Sequence, residues 1–375
     1  MELLAEPPQK SRGSRAKVAI LGTVGVPGRY GGFETLAENL VLYHASTGHG
    51  ASLTVWCSGN NNAKHPEHFE SADLRYVNLR ANGVQSVLYD AICLWQAVRS
   101  GHERILLLGV SGALALPLIR LISRARIVTN IDGIEWKREK WSRLARAVLR
   151  ISEWAAVRFS HEVIADNDAI ADYLRSAYGS SCHVIAYGGD HSIAHLADRG
   201  PLLPILPNSY ALALCRIEPE NNVHTILKSW EDLECPLVFV GNWASSTYGR
   251  DLRMRYGARP NLFLLDSVYD PGRLRSLRDR ASLYVHGHSA GGTNPSLVEM
   301  MHFGIPVLAH GCSFNRYSTE NQALYFETSE DLAALVRGLG PEEAAAIGSA
   351  MRAIAQRRYT WDQVGKAYFE LLDRV

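Results

Sequence analysis

Two glycine-rich loops and a few polar residues at strand ends carry most of the chemistry this sequence can do. The first loop, Gly22-Thr-Val-Gly25-Val-Pro-Gly28-Arg-Tyr-Gly31-Gly32-Phe-Glu34, follows a short apolar run, Lys17–Gly22. Glycine lets backbone N–H groups approach a phosphate or sugar closely, and a helix N-terminus beyond it favours an anion. Gly22, Gly25 and Gly28 are spaced G-x-x-G-x-x-G, which is not the dinucleotide pattern. The second apolar run, Ser52–Ser58, ends without the acid that holds a ribose, and no G-K-[ST] follows the loop. A loop approaching a sugar or diphosphate through Gly28, Gly31, Gly32 and Glu34 is the better reading. A plain tight turn is the alternative, and Glu34 near a helix start is stabilised whatever its role. The second loop, His286-Gly-His288-Ser-Ala-Gly291-Gly292-Thr293-Asn294-Pro295-Ser-Leu-Val-Glu299, again joins an apolar run to a helical one. Its Pro295 suits the first turn of that helix, where a missing N–H costs nothing.

These loops need strands to present them. Apolar runs at Lys17–Gly22, Ser52–Cys57, Arg104–Leu108, Arg126–Asn130, Glu162–Ala165 and His183–Ala186 alternate with helical stretches at Phe33–Ser46, Ser86–Ser100, Ala113–Ser123, Trp141–Phe159 and Ala169–Tyr178. Strands alternating with helices imply parallel sheets covered on both faces. The prolines Pro201, Pro204 and Pro207 interrupt the rhythm, which restarts with strands at Ala211–Leu214, Leu237–Gly241, Leu262–Leu265, Leu283–His286 and Pro306–Ala309. Helices are expected between them at Val223–Trp230, Pro271–Asp279, Pro295–His302 and Ser329–Leu339. The sequence therefore predicts a disordered tail (1–16), an N-terminal α/β domain (17–200), a linker (201–208), a second α/β domain (209–358) and a C-terminal helix (359–375) packing back toward the first. Both halves read as Rossmann-like, doubly wound domains facing a central cleft, with the chemistry in loops at the carboxyl ends of the strands.

Composition narrows the partners. The 375 residues are 47% hydrophobic and 21% charged with a net charge of +1, so global electrostatics give no reason to expect nucleic acid. Six scattered cysteines without a C-x-x-C pair read as small buried hydrophobes, and reduced thiols suit the cytosol. The stretch Met1–Pro8 predicts no secretory signal, and the longest mostly apolar run, Ile105–Ile119, is too short to span a bilayer.

The second loop, together with Leu214-Cys-Arg216-Ile-Glu-Pro-Glu220-Asn-Asn222, resembles the retaining glycosyltransferases of family 4, which have the GT-B fold. Gly28-Arg-Tyr-Gly-Gly-Phe-Glu-Thr35, Ile131-Asp-Gly-Ile-Glu-Trp136 and Val184-Ile-Ala-Tyr-Gly-Gly-Asp190 look like the subgroup that includes bacterial β-1,4-rhamnosyltransferases of cell-wall and capsule polysaccharides. The resemblance covers roughly residues 17 to 370. It implies that Arg216 meets a donor diphosphate, where a fixed cation stabilises the leaving group. Glu299 would accept hydrogen bonds from the nucleotide ribose, and Gly291, Gly292, Thr293 and Asn294 would face the phosphates and the transferred sugar. In many relatives a Lys stands five residues after the Arg and a Glu eight residues before the second Glu, where this chain has Asn221 and Gly291.

In such an enzyme the acceptor meets the N-terminal half, whose strand ends supply Asp132, Asp166 and Tyr187. A carboxylate there can orient an acceptor hydroxyl or take its proton. The alternatives are structural: Asp166 as N-cap of the helix near Ala169, Asp132 as a loop stabiliser, Tyr187 half-buried with its hydroxyl satisfied. His286 and His288 have no third ligand at metal spacing, the donor motifs hold no D-x-D, and neither a cofactor nor a catalytic metal is expected. Trp136–Arg150 has six basic residues and one acid, with Arg143, Arg146 and Arg150 at helical spacing. It is either a solvated domain helix or a basic amphipathic segment lying on an anionic membrane. The expected activity is thus a metal-independent, retaining transfer of a sugar, rhamnose by resemblance, from a nucleotide donor to a saccharide on a polyprenyl diphosphate. It would occur in the cytoplasm, at the inner face of the membrane. A degenerate nucleotide-sugar or glycan-binding protein and a nucleotide-sugar epimerase are the rivals.

Overall fold

The computed structural model describes residues 16–28, 31–59, 65–137, 141–194 and 206–375. The expected tail, except Ala16, and most of the expected linker lie outside the described residues.

Among the described residues fourteen strands form two sheets. In chain order the first holds β1 (Lys17–Leu21), β2 (Ser52–Ser58), β3 (His68–Phe69), β4 (Ala72–Val77), β5 (Arg104–Leu108), β6 (Arg126–Ile131), β7 (Glu162–Ala165) and β8 (His183–Val184). The second holds β9 (Tyr210–Leu214), β10 (Leu237–Gly241), β11 (Leu262–Asp266), β12 (Ala281–His286), β13 (Val307–His310) and β14 (Leu324–Phe326). The first sheet is ordered β3-β4-β2-β1-β5-β6-β7-β8 and the second β11-β10-β9-β12-β13-β14. All pairings are parallel except β3 with β4. Central strands such as β1 and β5 read as unbroken apolar runs because both faces are covered. Each fully buried Ile or Leu there contributes about 1.5–3 kcal/mol relative to exposure.

The order reverses between β1 and β5 in one sheet and between β9 and β12 in the other. A crevice opens outside the carboxyl ends of the strands at such a switch point. The two glycine-rich loops leave β1 and β12, so each lies at the switch point of its own sheet.

One apolar core runs through both sheets, taking in Tyr187, Leu206, Tyr359, Trp361 and Tyr368 between them. The helix Trp361–Arg374 lies on the helix Gly32–Thr47, where Phe369 stacks on Tyr43 at 5.9 Å between ring centroids. Asp373 pairs with Arg104 at 2.6 Å, and the Asn130 amide meets the Tyr368 hydroxyl at 2.5 Å.

Several elements differ from the sequence expectation. The stretch 113–123 opens as a 3-10 turn, Ser111–Ala115, and becomes α-helical only over Leu116–Ile122. The next helix starts at Arg143 rather than Trp141, because the Ser142 hydroxyl accepts from the Ala145 N–H as N-cap. Strands β3, β4 and β14 and the helices Thr247–Tyr256, Ser313–Ser318 and Pro341–Arg358 were not anticipated. Thr247–Tyr256 is polar on most sides and Pro341–Arg358 is alanine-rich, so neither carries a strong apolar stripe. Cys57 and Cys93 are buried, the other four cysteines half-buried, and all six are free thiols raised above their usual pKa by burial.

Candidate functional site

The first loop is tied down by acids from the helix that follows it. Glu34 turns back so that Oε1 accepts from the Val24 N–H at 2.9 Å and the Thr23 hydroxyl at 3.4 Å. The Gly28 N–H donates to Glu38 at 2.9 Å. Glu34 is therefore a brace of the loop, and its Oε1 is occupied by the chain itself. Gly31 is exposed at the N-cap of the helix Gly32–Thr47, and the Tyr187 hydroxyl lies directly behind Gly32.

Asp132, Asp166 and Tyr187 leave β6, β7 and β8 and converge beneath the second loop. Asp166 is 1% exposed, and its Oδ1 has no hydrogen-bond partner. Burial pushes its carboxyl well above the usual carboxylate range, and the nearby Asp132 charge pushes it further. Tyr187 is buried as well, its phenol raised by burial and then by Asp132, Asp166, Tyr368 and Glu34. Neither group reaches open solvent in this conformation, so the half-buried Asp132 is the accessible acid of the three. The helix beginning at Asp168 is capped by Asn167, not Asp166: Asn167 Oδ1 accepts from the Ala169 N–H at 2.9 Å. The cap reading of Asp166 is thereby corrected.

The second loop comes across from the other sheet to meet these residues. A Cβ at Gly292 would collide with the Asp166 carboxylate oxygen and with the Asp132 carbonyl. Only glycine allows that approach. Gly291 has φ 119°, a conformation other residues avoid; a Cβ there would meet open space, while one at Gly133 would come into ordinary contact with the Gly291 backbone. The Thr293 hydroxyl donates to the Asp166 carbonyl. Asn167 adds a cross-domain tie that sequence reasoning missed, its amide donating to Thr293 (3.4 Å), the Phe314 carbonyl (3.3 Å) and Ser318 (3.1 Å). The signal was present in the Asp166-Asn167 pair, whose second member suits a cap.

Arg216 leaves β9 exposed, 3.7 Å from Glu218. Asn221, at the position where many relatives carry Lys, is buried and donates to the Arg216 carbonyl at 2.8 Å, fastening the turn. Asn294 precedes the helix Pro295–Met301 and accepts from Ser296 at 3.1 Å without capping it. Glu299, on that helix, is enclosed by Arg278 and by His191 Nε2 at 3.2 Å. The Trp361 indole donates to His191 Nδ1 at 2.9 Å, which leaves Nε2 as the nitrogen that donates to Glu299. Burial alone would raise the Glu299 carboxyl, but Arg278 and His191 outweigh it and hold the group below its usual range. Its carboxylate is thus ionised and already partnered, a detail the ribose assignment did not anticipate. Arg278, His191 and Trp361 were not singled out from the sequence, because they come from three distant segments.

His286 is buried, with its ring stacked on His288 at 4.3 Å, and burial, then His288 and His310, hold it neutral. Among the described residues no group of three or more His, Cys, Asp or Glu is arranged to hold a metal ion, and no helix is long and apolar enough to cross a membrane.

Residues 15–190 match the family model of DUF1972, a domain of unknown function, and residues 203–340 match that of glycosyl transferases group 1. No curated protein matches the chain. Among solved structures it is similar to sucrose-phosphate synthase from Thermosynechococcus elongatus, with TM-score 0.76 and 15% identity over 96% of this chain and 99% of that one. HepE from Anabaena, solved with UDP and glucose, aligns with TM-score 0.71 and 19% identity over 96% and 100% of the two chains. The α,α-trehalose 6-phosphate synthase of Burkholderia multivorans aligns with TM-score 0.69 and 10% identity over 96% of each. At these identities the likeness establishes the fold, which is GT-B. The match over residues 203–340 gives the second α/β half of that frame the sequence pattern of the group 1 glycosyl transferases.

Proposed function

We propose that the protein transfers a sugar, with retention, from a nucleotide-sugar donor to a saccharide carried on a polyprenyl diphosphate, without a metal ion. The observation carrying this reading is the meeting of the Gly291–Thr293 loop with Asp132 and Asp166 across the two sheets. A donor loop and an acceptor-side acid there share one crevice. Arg216 would stabilise charge on the departing diphosphate. Glu299, held ionised by Arg278 and His191, would accept from the donor ribose with its remaining lone pairs. Asp132 would orient the acceptor hydroxyl, and the donor phosphate would help remove its proton, so no enzyme nucleophile is needed. HepE, solved with UDP and glucose, supports the nucleotide-sugar class. Rhamnose and dTDP come from the motif resemblance, as does the lipid-linked acceptor at the inner face of the cytoplasmic membrane.

The test is thermal stability against dTDP-, UDP- and GDP-linked sugars, followed by transfer with the donor that binds. Ligand at about 100 times its dissociation constant adds about 2.7 kcal/mol, a melting shift of several degrees. One nucleotide class should shift the curve, Arg216→Ala should abolish the shift, and NMR of the product should show the donor's anomeric configuration. Asn221 and Gly291 favour a second reading, a degenerate nucleotide-sugar-binding protein. Donor binding without transfer or hydrolysis would select it.

A further inference from the structure

We propose that one face of the N-terminal domain docks on an anionic lipid surface through two packed helices and the aromatic pocket beside them, a docking that deepens the lipid-linked reading above and rests on it. The helix Arg143–Phe159 packs against the turn Ser111–Ala115 and the helix Leu116–Ile122. Together they leave large apolar side chains in water: Leu121 is 84% exposed and Leu144 77%, with Leu118, Ile122, Ile151 and Trp154 also exposed. On the longer helix Leu144, Ile151 and Trp154 share one side, and Arg143, Arg146 and Arg150 run alongside them at helical spacing.

The charge exposed on the helix Arg143–Phe159 is of one sign. The only acid of Arg143–Phe159 is Glu153, which is 1% exposed and points inward. Its Oε1 accepts from the Trp136 indole at 3.3 Å and from the Tyr173 and Tyr178 hydroxyls at 2.6 Å each. This post shapes a cavity of about 580 Å³ lined by Trp136, Arg146, Arg150, Ile151, Trp154 and Tyr178. The Arg150 guanidinium lies 5.2 Å above the Trp136 ring. Arg120, Arg124 and Arg126 are exposed at the end of the neighbouring helix.

Guanidinium groups among aromatic and aliphatic walls suit a phosphate joined to hydrocarbon. Here Arg143, Arg146 and Arg150 interleave with the exposed apolar side chains, and the helix exposes no acid to offset them. That pattern matches a segment lying at the headgroup boundary of an anionic bilayer. Trp136 stands four residues after Asp132, so docking there would bring the acceptor-side loop to the lipid surface.

Flotation of the full chain with phosphatidylcholine vesicles, with and without phosphatidylglycerol, tests the proposal. Binding should require phosphatidylglycerol and fall with added salt. Arg143→Glu with Arg150→Glu should weaken it on the order of tenfold or more. Leu121→Ser with Ile122→Ser, outside the basic helix, should weaken it several-fold, because apolar area no longer enters the boundary. Both pairs are exposed, so melting temperature and donor-induced thermal shift should match the parent. Loss of flotation with donor binding intact supports the docking face. No flotation of the parent chain, or flotation unchanged in both variants, overturns it, as does equal binding to neutral vesicles. Failure of donor binding in the parent chain would instead strike the transferase reading alone.

Discussion

Asp166 and Glu299 are both buried, one on each α/β half, and their surroundings set them to opposite protonation states. Among the described residues no cation offsets the burial of Asp166; burial, reinforced by the Asp132 charge, drives it toward the neutral acid. Glu299 suffers the same burial, but Arg278 and His191 hold it ionised. The contrast separates two kinds of work. A neutral carboxyl lets the Gly292 loop lie against the N-terminal domain without trapping a charge at the contact. An ionised one keeps a fixed acceptor on the donor side, braced through His191 to Trp361 of the C-terminal helix.

Removing the cation should break this contrast most severely. Arg278→Met leaves Glu299 buried and without its main counter-charge, a change worth about 3–5 kcal/mol. Denaturant unfolding should show that loss. Arg278→Met with Glu299→Leu should recover most of the stability, because no charge is then stranded. Donor binding should not recover, since the acceptor oxygen is gone. Full stability in Arg278→Met alone would mean that the buried pair is not what holds Glu299 ionised.

Titration sharpens the same comparison. The folded-state pKa of Glu299 lies below its unfolded value of about 4.3, so its contribution is present above that pH. It is lost as pH falls through the folded value. Asp166 runs the other way. Its folded pKa lies above the unfolded value of about 3.9, so its contribution is complete below that pH and is lost as pH rises toward the folded value. Each unit of difference is worth about 1.4 kcal/mol. Melting temperature against pH should therefore lose part of its acid-side slope in Glu299→Gln. Asp166→Asn should lose part of the decline on the alkaline side and be more stable than the parent there. Parallel curves for parent and Asp166→Asn would show that Asp166 is ionised in the fold.

Much of this architecture was legible in the residues. Continuous apolar runs such as Ile105–Leu108 and Leu237–Gly241, alternating with helical stretches, pointed to strands covered on both faces, and the motif resemblance supplied the GT-B arrangement of two such halves. The two glycine loops were legible because glycine marks the places where the backbone must approach something closely, as Gly292 does. What stayed hidden depends on long-range contact. Glu34 as a loop brace, Glu299 enclosed by Arg278 and His191, and the exposed leucines of Leu116–Ile122 all depend on partners, or their absence, at distant positions. Periodicity cannot show that Leu121 faces water while Leu116 faces the core. Short or polar elements, β3 and Thr247–Tyr256 among them, leave too weak a pattern to read.

Asn167 offers the finest cut between local and long-range roles, because one side chain does both. Its oxygen caps the helix Asp168–Tyr178, and its amide reaches Thr293, Phe314 and Ser318 across the domain contact. Asn167→Ala removes both, and Asn167→Ser keeps a good cap while falling short of the other domain. The alanine variant should be less stable than the serine variant by about 1 kcal/mol, the worth of the cap. Both should lose kcat/KM to a similar degree, because both release the loop that carries Thr293. A serine variant with parental kcat/KM would mean that Gly292 and Thr293 alone position the loop, and that Asn167 acts only on its own helix.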